Sequence, residues 1–158
     1  MRRVAALLGT AAMVLTTVSV LAQEKPNFSG TWTLVPAEGA AAGGGRGGRG
    51  GRGGLGQTFT ATQDASTLKI ERSMGGNTMT LTYNLDGTES KNRMARGRGG
   101  EMEQVSKASW DGDKLVITTG DRKQVFSLQG GNLVVETTAP PGRGGGEPVT
   151  RTATYTKG

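Results

Sequence analysis

The chain has 158 residues, 19 of them basic and 13 acidic, with 28 glycines, no cysteine and no histidine. Those two absences exclude disulfide staples, Ser-His and Cys-His nucleophile pairs, and imidazole as a general base or metal ligand. Hydrophobic residues make up 34% and aromatics 4%, which suits one domain around one core of mainly aliphatic side chains.

Arg2 and Arg3 precede an apolar run, 4–21, that ends at Val20-Leu21-Ala22 before the polar Gln23-Glu24-Lys25. This pattern reads as a secretory signal peptide cleaved after Ala22. A retained anchor is the competing reading, because the run approaches spanning length; the Ala22 site and the polar stretch after it favour cleavage. With no cysteine near the site, a lipid-modified N-terminus is excluded. The expectation is a bacterial protein sent to the periplasm or the medium, whose single domain is 23–158 and which does not span a membrane after cleavage.

The first strand, 28–35, places Phe28, Gly30, Trp32 and Leu34 on one face. A Gly-rich segment, 37–56, follows and carries a triple Arg-Gly-Gly repeat at Arg46, Arg49 and Arg52. Strands are expected at 57–63, 67–73 and 78–85, the last alternating Met79, Leu81, Tyr83 and Leu85 with Thr78, Thr80, Thr82 and Asn84. After the Asp86-Gly87 turn, a second Gly-rich segment, 91–103, contains Arg96 and Arg98. Four short runs, 104–110, 114–119, 123–128 and 132–138, are separated by Gly112, Gly120 and Gly130-Gly131, at places where hairpins need positive φ. A third Gly-rich segment, 139–148, holds Arg143, and a final strand, 149–156, alternates Val149, Arg151, Ala153 and Tyr155 with threonines.

Nine such runs, joined as successive hairpins and without helical periodicity, predict an all-β fold. The expected form is a single antiparallel up-and-down β-barrel of about 8–10 strands with Gly/Arg-rich loop insertions, which are expected to be flexible. Beyond Ala22 there are 17 basic and 13 acidic residues, and the three Gly-rich segments hold eight and four of them. The strands are therefore electrically balanced, and the excess positive charge belongs to the insertions.

Asn27-Phe28-Ser29-Gly30-Thr31-Trp32 with Pro36, Leu85-Asp86-Gly87, Trp110-Asp111-Gly112-Asp113 with Leu115, and Tyr155-Thr156-Lys157 together resemble the calycin superfamily of lipocalins and fatty-acid-binding proteins. More closely they resemble a group of small secreted bacterial lipocalin-like domains, over nearly all of 27–157. The resemblance implies a first-strand Trp at the closed end of the barrel, here Trp32, covered by an Arg of the last strand, for which Arg151 is the match. It departs from the Arg-x-Tyr carboxylate clamp of fatty-acid-binding proteins, since Arg151 and Tyr155 stand four residues apart on one face.

The candidate ligand-binding residues are those of the expected inner face: Trp32, Leu68, Ile70, Met79, Leu81, Tyr83, Arg151 and Tyr155. Leu34, Leu115, Ile117, Val125, Leu133 and Val135 share that parity, and whether they leave a cavity or fill the barrel stays open. Arg72 and Arg151 would hold an anionic head group if they are buried; on 104–110 the parity of Lys107 and Trp110 is ambiguous. Nothing marks a catalytic residue, a metal site or a cofactor, and Asp111-Gly112-Asp113 is better explained as a turn than as a calcium site. The expectation is a non-enzymatic, extracytoplasmic barrel that binds a small apolar or amphipathic molecule. One alternative is a surface-interaction protein whose Arg46, Arg49, Arg52, Arg96, Arg98 and Arg143 engage polyanions such as polysaccharide, lipopolysaccharide or nucleic acid. The other is a structural or assembly subunit with no ligand; no obligate protein partner is inferred.

Overall fold

The computed structural model describes residues 24–36, 55–74, 76–96, 100–141 and 145–158. The expected signal peptide lies outside them, as do Arg46, Arg49, Arg52, Arg98 and Arg143; of Arg96 only the backbone is described. Every regular element among the described residues is a strand: β1 (Gly30–Leu34), β2 (Thr58–Gln63), β3 (Thr67–Met74), β4 (Asn77–Asn84), β5 (Glu89–Arg96), β6 (Gly100–Asp111), β7 (Lys114–Thr119), β8 (Arg122–Gln129), β9 (Asn132–Ala139) and β10 (Val149–Lys157). No helix among them is long and apolar enough to cross a membrane.

The ten strands form one antiparallel sheet in the order β4-β3-β2-β1-β10-β9-β8-β7-β6-β5. Chain neighbours are sheet neighbours except for β4 and β5, and β1 pairs with β10 through Trp32 opposite Lys157 and Leu34 opposite Tyr155. The two outer strands of that order, β4 and β5, are joined by the Leu85–Thr88 turn, so the sheet curls into a nearly closed barrel. Turn chemistry agrees with the sequence. Gly130 and Gly131, both at positive φ (57° and 84°), join β8 to β9, as a two-residue hairpin of the primed type requires. Asp86 accepts hydrogen bonds from the Thr88 amide (2.9 Å) and hydroxyl (2.6 Å) beside Gly87.

Two expectations are corrected. The segment 91–103, read as a Gly-rich loop, contains most of β5 and the start of β6, paired from Glu89 opposite Lys107 to Arg96 opposite Gly100. β5 was missed because its inward positions include Ser90 and Asn92, both buried, so the strand has no apolar alternation to read. Val125 is not inward. Phe126 sits opposite Leu115 and Val135, and the adjacent pair Val125-Phe126 leaves the parity of β8 undecided until the register is known.

The register fixes the position of every connection. Residues 64–66, 85–88, 112–113 and 130–131 turn at one end of the barrel. The strand ends that lead into 35–57, 75–76, 97–99, 120–121 and 140–148 all lie at the other. The three Gly/Arg-rich segments therefore join strand ends on a single rim.

Candidate functional site

The first end is closed by the residues that run into β1. Phe28 is fully buried, with its ring stacked on Trp110 (centroids 5.9 Å apart, 9° between planes) and edge-on to Phe126 at 6.0 Å. The Gln63 side chain holds this segment, accepting from the Phe28 amide (2.9 Å) and donating to the Pro26 carbonyl (3.0 Å). The Trp32 indole donates to the Phe28 carbonyl at 2.8 Å, so the Trp of the Gly-x-Trp motif ties the plug to the wall. Trp110 is inward and Lys107 outward, because Ala108 and Trp110 face Ile117 and Leu115 across β7.

The cation over Trp32 is Lys157, its direct cross-strand partner, with Nζ 5.8 Å from the ring centroid. Arg151 does not take that place. It shares the inner parity, opposite the buried Thr137, but stands exposed near the other end of β10. Gly30 makes the Lys157 arrangement possible: its φ is +139°, and a Cβ there would lie 2.5 Å from Lys157 Cε.

Of the remaining candidate residues, Trp32, Leu68, Ile70, Leu81, Tyr83 and Tyr155 are all buried in one cluster, with Met79 partly buried against it. Phe28, Phe59 and Phe126 belong to the same cluster, in which Phe59 meets Tyr155 in a T-shaped contact (5.1 Å). The closed half is thus packed, with Leu68, Ile70, Ala108, Leu115, Ile117 and Leu133 wholly inaccessible.

The open half is different. Many of its inward-facing side chains stay accessible: Leu34, Arg72, Met79, Met94, Gln104, Thr119, Gln124 and Ala153 are half-buried and Arg122, Arg151, Met102 and Val149 exposed, while Phe59, Ser106 and Thr137 are buried. Polar groups collect on the β5–β9 wall, where Ser106 and Thr119 share a hydroxyl hydrogen bond (2.7 Å) and Gln124 reaches Thr137 (3.5 Å). Opposite them stand Phe59, Met79 and Arg72, with the Arg72 guanidinium donating to Met79 Sδ at 3.4 Å.

Arg72 is the residue at this site to which alternation alone assigned no surroundings. Burial lowers its basicity from the ordinary value; nearby Tyr83 and Tyr155 oppose that effect, and the charge of Arg122 adds to it. Conversely, burial pushes the Tyr83 phenol up to about 12, with Arg72 pulling the other way. Tyr155 is also raised by burial, against a hydrogen bond from the Leu55 backbone and the charge of Arg72. One guanidinium thus sits within electrostatic reach of both tyrosines of the chain.

A cleft of about 350 Å³ lies outside the closed end, lined by Lys25, Asn27, Gln63, Asp64, Ala65, Leu85 and Trp110. Its polar groups serve the fold. Gln63 holds the plug, and Asp64 accepts from the amides and hydroxyls of Ser66 and Thr67, which holds its carboxyl down at about 2. Lys25 lies 5.5 Å over the Trp110 ring. Among the described residues no group of His, Cys, Asp and Glu could hold a metal ion.

No protein-family model matches the sequence, and no curated protein is detectably similar to it. Among solved structures, zebrafish ileal bile acid-binding protein in complex with cholic acid is similar to this chain, with a TM-score of 0.55 and 19% identity. The match covers 83% of this chain and 98% of the zebrafish protein. At that identity the likeness is one of fold. Ten antiparallel strands in sequential order, a nearly closed barrel and a first-strand Trp plugged at one end identify the fold as a calycin-type barrel.

Proposed function

We propose that this chain is an extracytoplasmic carrier that takes a small apolar or amphipathic molecule into the open half of its barrel. One observation carries the reading: the inward-facing side chains toward the plugged end pack into a single buried cluster, whereas toward the other rim Leu34, Arg72, Met79, Gln104, Thr119, Gln124 and Ala153 keep accessible surface. Inward-facing surface that solvent reaches is the surface a ligand would cover. Its mixed lining, with Met79, Leu34 and Ala153 beside Gln104, Thr119 and Gln124, suits a molecule with both apolar and polar parts. Cholic acid in the zebrafish protein is an occupant of that kind. The packed cluster beneath, containing Leu68, Ile70, Leu81 and Tyr83, would form the floor of the site, and Trp32 would seal the far end.

The test is native mass spectrometry of residues 23–158 purified from its own compartment. A reproducible added mass on the order of a few hundred daltons, one drug- or lipid-sized molecule, is expected for the wild type. It should be lost in Ala153→Trp, which fills the mouth at a half-buried inward position. A clean apo mass, together with no binding of any offered amphiphile, would sink the carrier reading.

The second reading is polyanion binding by Arg46, Arg49, Arg52, Arg96, Arg98 and Arg143. What favours it is that the strand ends joined by the three Arg-bearing segments share one rim, so their charge adds locally. Binding to heparin or DNA that weakens steeply with salt, and vanishes when these arginines become Ser, would support it.

A further inference from the structure

Beyond Ala22 the chain has four methionines, and all of them fall within residues 74–102. The fold brings that sequence cluster to one stretch of the open rim. Met74 is the last residue of β3, and Met79, Met94 and Met102 lie in the rimward parts of β4, β5 and β6. β5 pairs with β6 so that Met94 stands directly opposite Met102. Met79 lies across the seam where β4 meets β5, whose alignment is set by hydrogen bonds of Asn92 to Thr82 and of Ser90 to Asn84. Counted rimward, Met79 is three residues from Thr82 and Met94 two from Asn92, so their heights differ by one residue rise, about 3.3 Å. All three share the inward parity of Leu81, Asn92 and Ala108.

Core packing does not account for them. Met79 and Met94 are half-buried and Met102 is 44% exposed, on a rim they share with Gln104, Thr119 and Arg122. A methionine side chain has three rotatable bonds and a polarisable sulfur, and residues directly opposed on antiparallel strands start about 4.5–5.5 Å apart at Cβ. The sulfurs of Met94 and Met102 can therefore turn to one point, which Met79 approaches from across the seam. Sulfur enters this chain only as thioether, since there is no cysteine, and no imidazole competes with it. Thioether donors select copper(I) among biological metals, and silver(I) shares its charge and softness.

The surroundings decide the charge of the ion. Arg72 donates to Met79 Sδ at 3.4 Å, which uses one lone pair of that sulfur and leaves the other. Its guanidinium repels a nearby cation, and the repulsion doubles for a divalent ion. Neutral thioethers do not offset that cost, so a monovalent ion suits the place. Glu101 and Glu103 bracket Met102 on β6 and moderate the positive potential on that side. We propose that the rim from β4 to β6 is a binding site for a monovalent soft metal ion, copper(I) or silver(I), held by the thioethers of Met94 and Met102 with Met79 as the third donor. The site stands apart from the carrier reading, since a metal ion needs neither an apolar wall nor an enclosed cavity.

Silver nitrate in chloride-free buffer is the probe, because silver(I) is stable in air and brings no redox step. It is titrated into the purified protein carrying isotope-labelled methionine methyl groups and followed by NMR. One ion per chain should bind, and the methyl resonances of Met79, Met94 and Met102 should move together. Met94→Leu and Met102→Leu conserve volume at accessible positions, so both variants should fold. Each should weaken silver binding by more than about tenfold, the loss that removal of even an indirect partner causes in metal sites. Zinc(II) at the same concentration should leave the three resonances in place. Silver binding that does not move them, or that keeps its affinity in the Met94→Leu/Met102→Leu double variant, overturns the proposal. The absence of silver binding overturns it as well, and zinc(II) moving the same resonances as strongly would overturn the selection for a monovalent ion.

Discussion

The Asn92 carboxamide pairs with the backbone of Thr82 as a peptide group of a neighbouring strand would. Its Oδ1 accepts from the Thr82 amide at 2.7 Å and its Nδ2 donates to the Thr82 carbonyl at 3.0 Å. Two residues away, Ser90 Oγ accepts from the Asn84 amide at 2.7 Å, and Asn84 Nδ2 donates to the Glu89 carbonyl at 3.0 Å. β4 and β5 are the two ends of the sheet order, so these side chains close the barrel where a backbone ladder is lacking. Closure protects what would otherwise be two open sheet edges.

Asn92→Ala should therefore cost about 1–3 kcal/mol, the penalty for leaving partly buried backbone groups unsatisfied. Urea unfolding measures the loss. Hydrogen exchange locates it, with the Thr82 amide expected to exchange faster in the variant while amides of β8 and β9 keep their protection relative to global stability. Unchanged exchange at Thr82 would mean that the seam does not hold the barrel shut.

Gly30 carries two burdens, its φ of +139° and the passage of the Lys157 side chain. Gly30→Ala should destabilise by roughly 1–3 kcal/mol through backbone strain alone, with an added part from displacing Lys157. Lys157→Ala by itself should cost about 0.5–1 kcal/mol, the scale of a cation resting on an indole face. In the double variant the Gly30→Ala cost should shrink but not vanish, since the lysine contact is gone and the strain remains. Fully additive costs would show that the lysine does not constrain this glycine.

Much of this architecture was legible in the chain. Alternation in Met79, Leu81 and Tyr83 and in Ala153 and Tyr155 assigned the inner face of β4 and β10, because apolar residues were spaced by two and flanked by threonines. Gly130-Gly131 and Asp86-Gly87 marked turns because positive φ selects those residues. Legibility failed where the inside is polar: β5 hid behind Ser90 and Asn92, whose partners are backbone groups of β4 that no local pattern reveals. It also failed where two cations compete for one role. Arg151 and Lys157 share a parity, and only the β1–β10 register, a contact between chain ends, decides that Lys157 meets Trp32. The open half could not be told from the closed half for the same reason, since burial along a strand depends on which end is plugged.

The plug is a segment of irregular chain, so its contribution should be separable from that of the barrel wall. Phe28→Ala removes a fully buried ring that touches Trp110 and Phe126, and a loss of about 3–5 kcal/mol is expected. Gln63→Ala should cost less but act on the same element, because it frees the Phe28 amide and the Pro26 carbonyl. The two losses should then be sub-additive. Trp fluorescence provides a second readout: Trp110 is half-buried and Trp32 buried, so releasing the plug should shift emission to the red before global unfolding. No shift in Gln63→Ala would show that the segment stays seated without its glutamine.

The chain has two tyrosines, both on the inner face, so tyrosinate absorbance reports on the interior alone. Tyr83 is pushed up to about 12 by burial, and Tyr155 is also raised, against about 10 for a free phenol. A phenol whose folded value is raised favours the folded state while it stays protonated. Its contribution is complete below pH 10, where the unfolded chain is also protonated, and declines as pH rises from 10 to about 12. For Tyr83 the total is on the order of 2–3 kcal/mol. Stability should accordingly fall over that range, and little tyrosinate signal should appear near pH 10 before the barrel opens. Tyr83→Phe should flatten the decline, since Phe cannot ionise. A free-phenol titration centred at pH 10 in the folded protein would place both hydroxyl groups in water, contrary to the packed lower half described above.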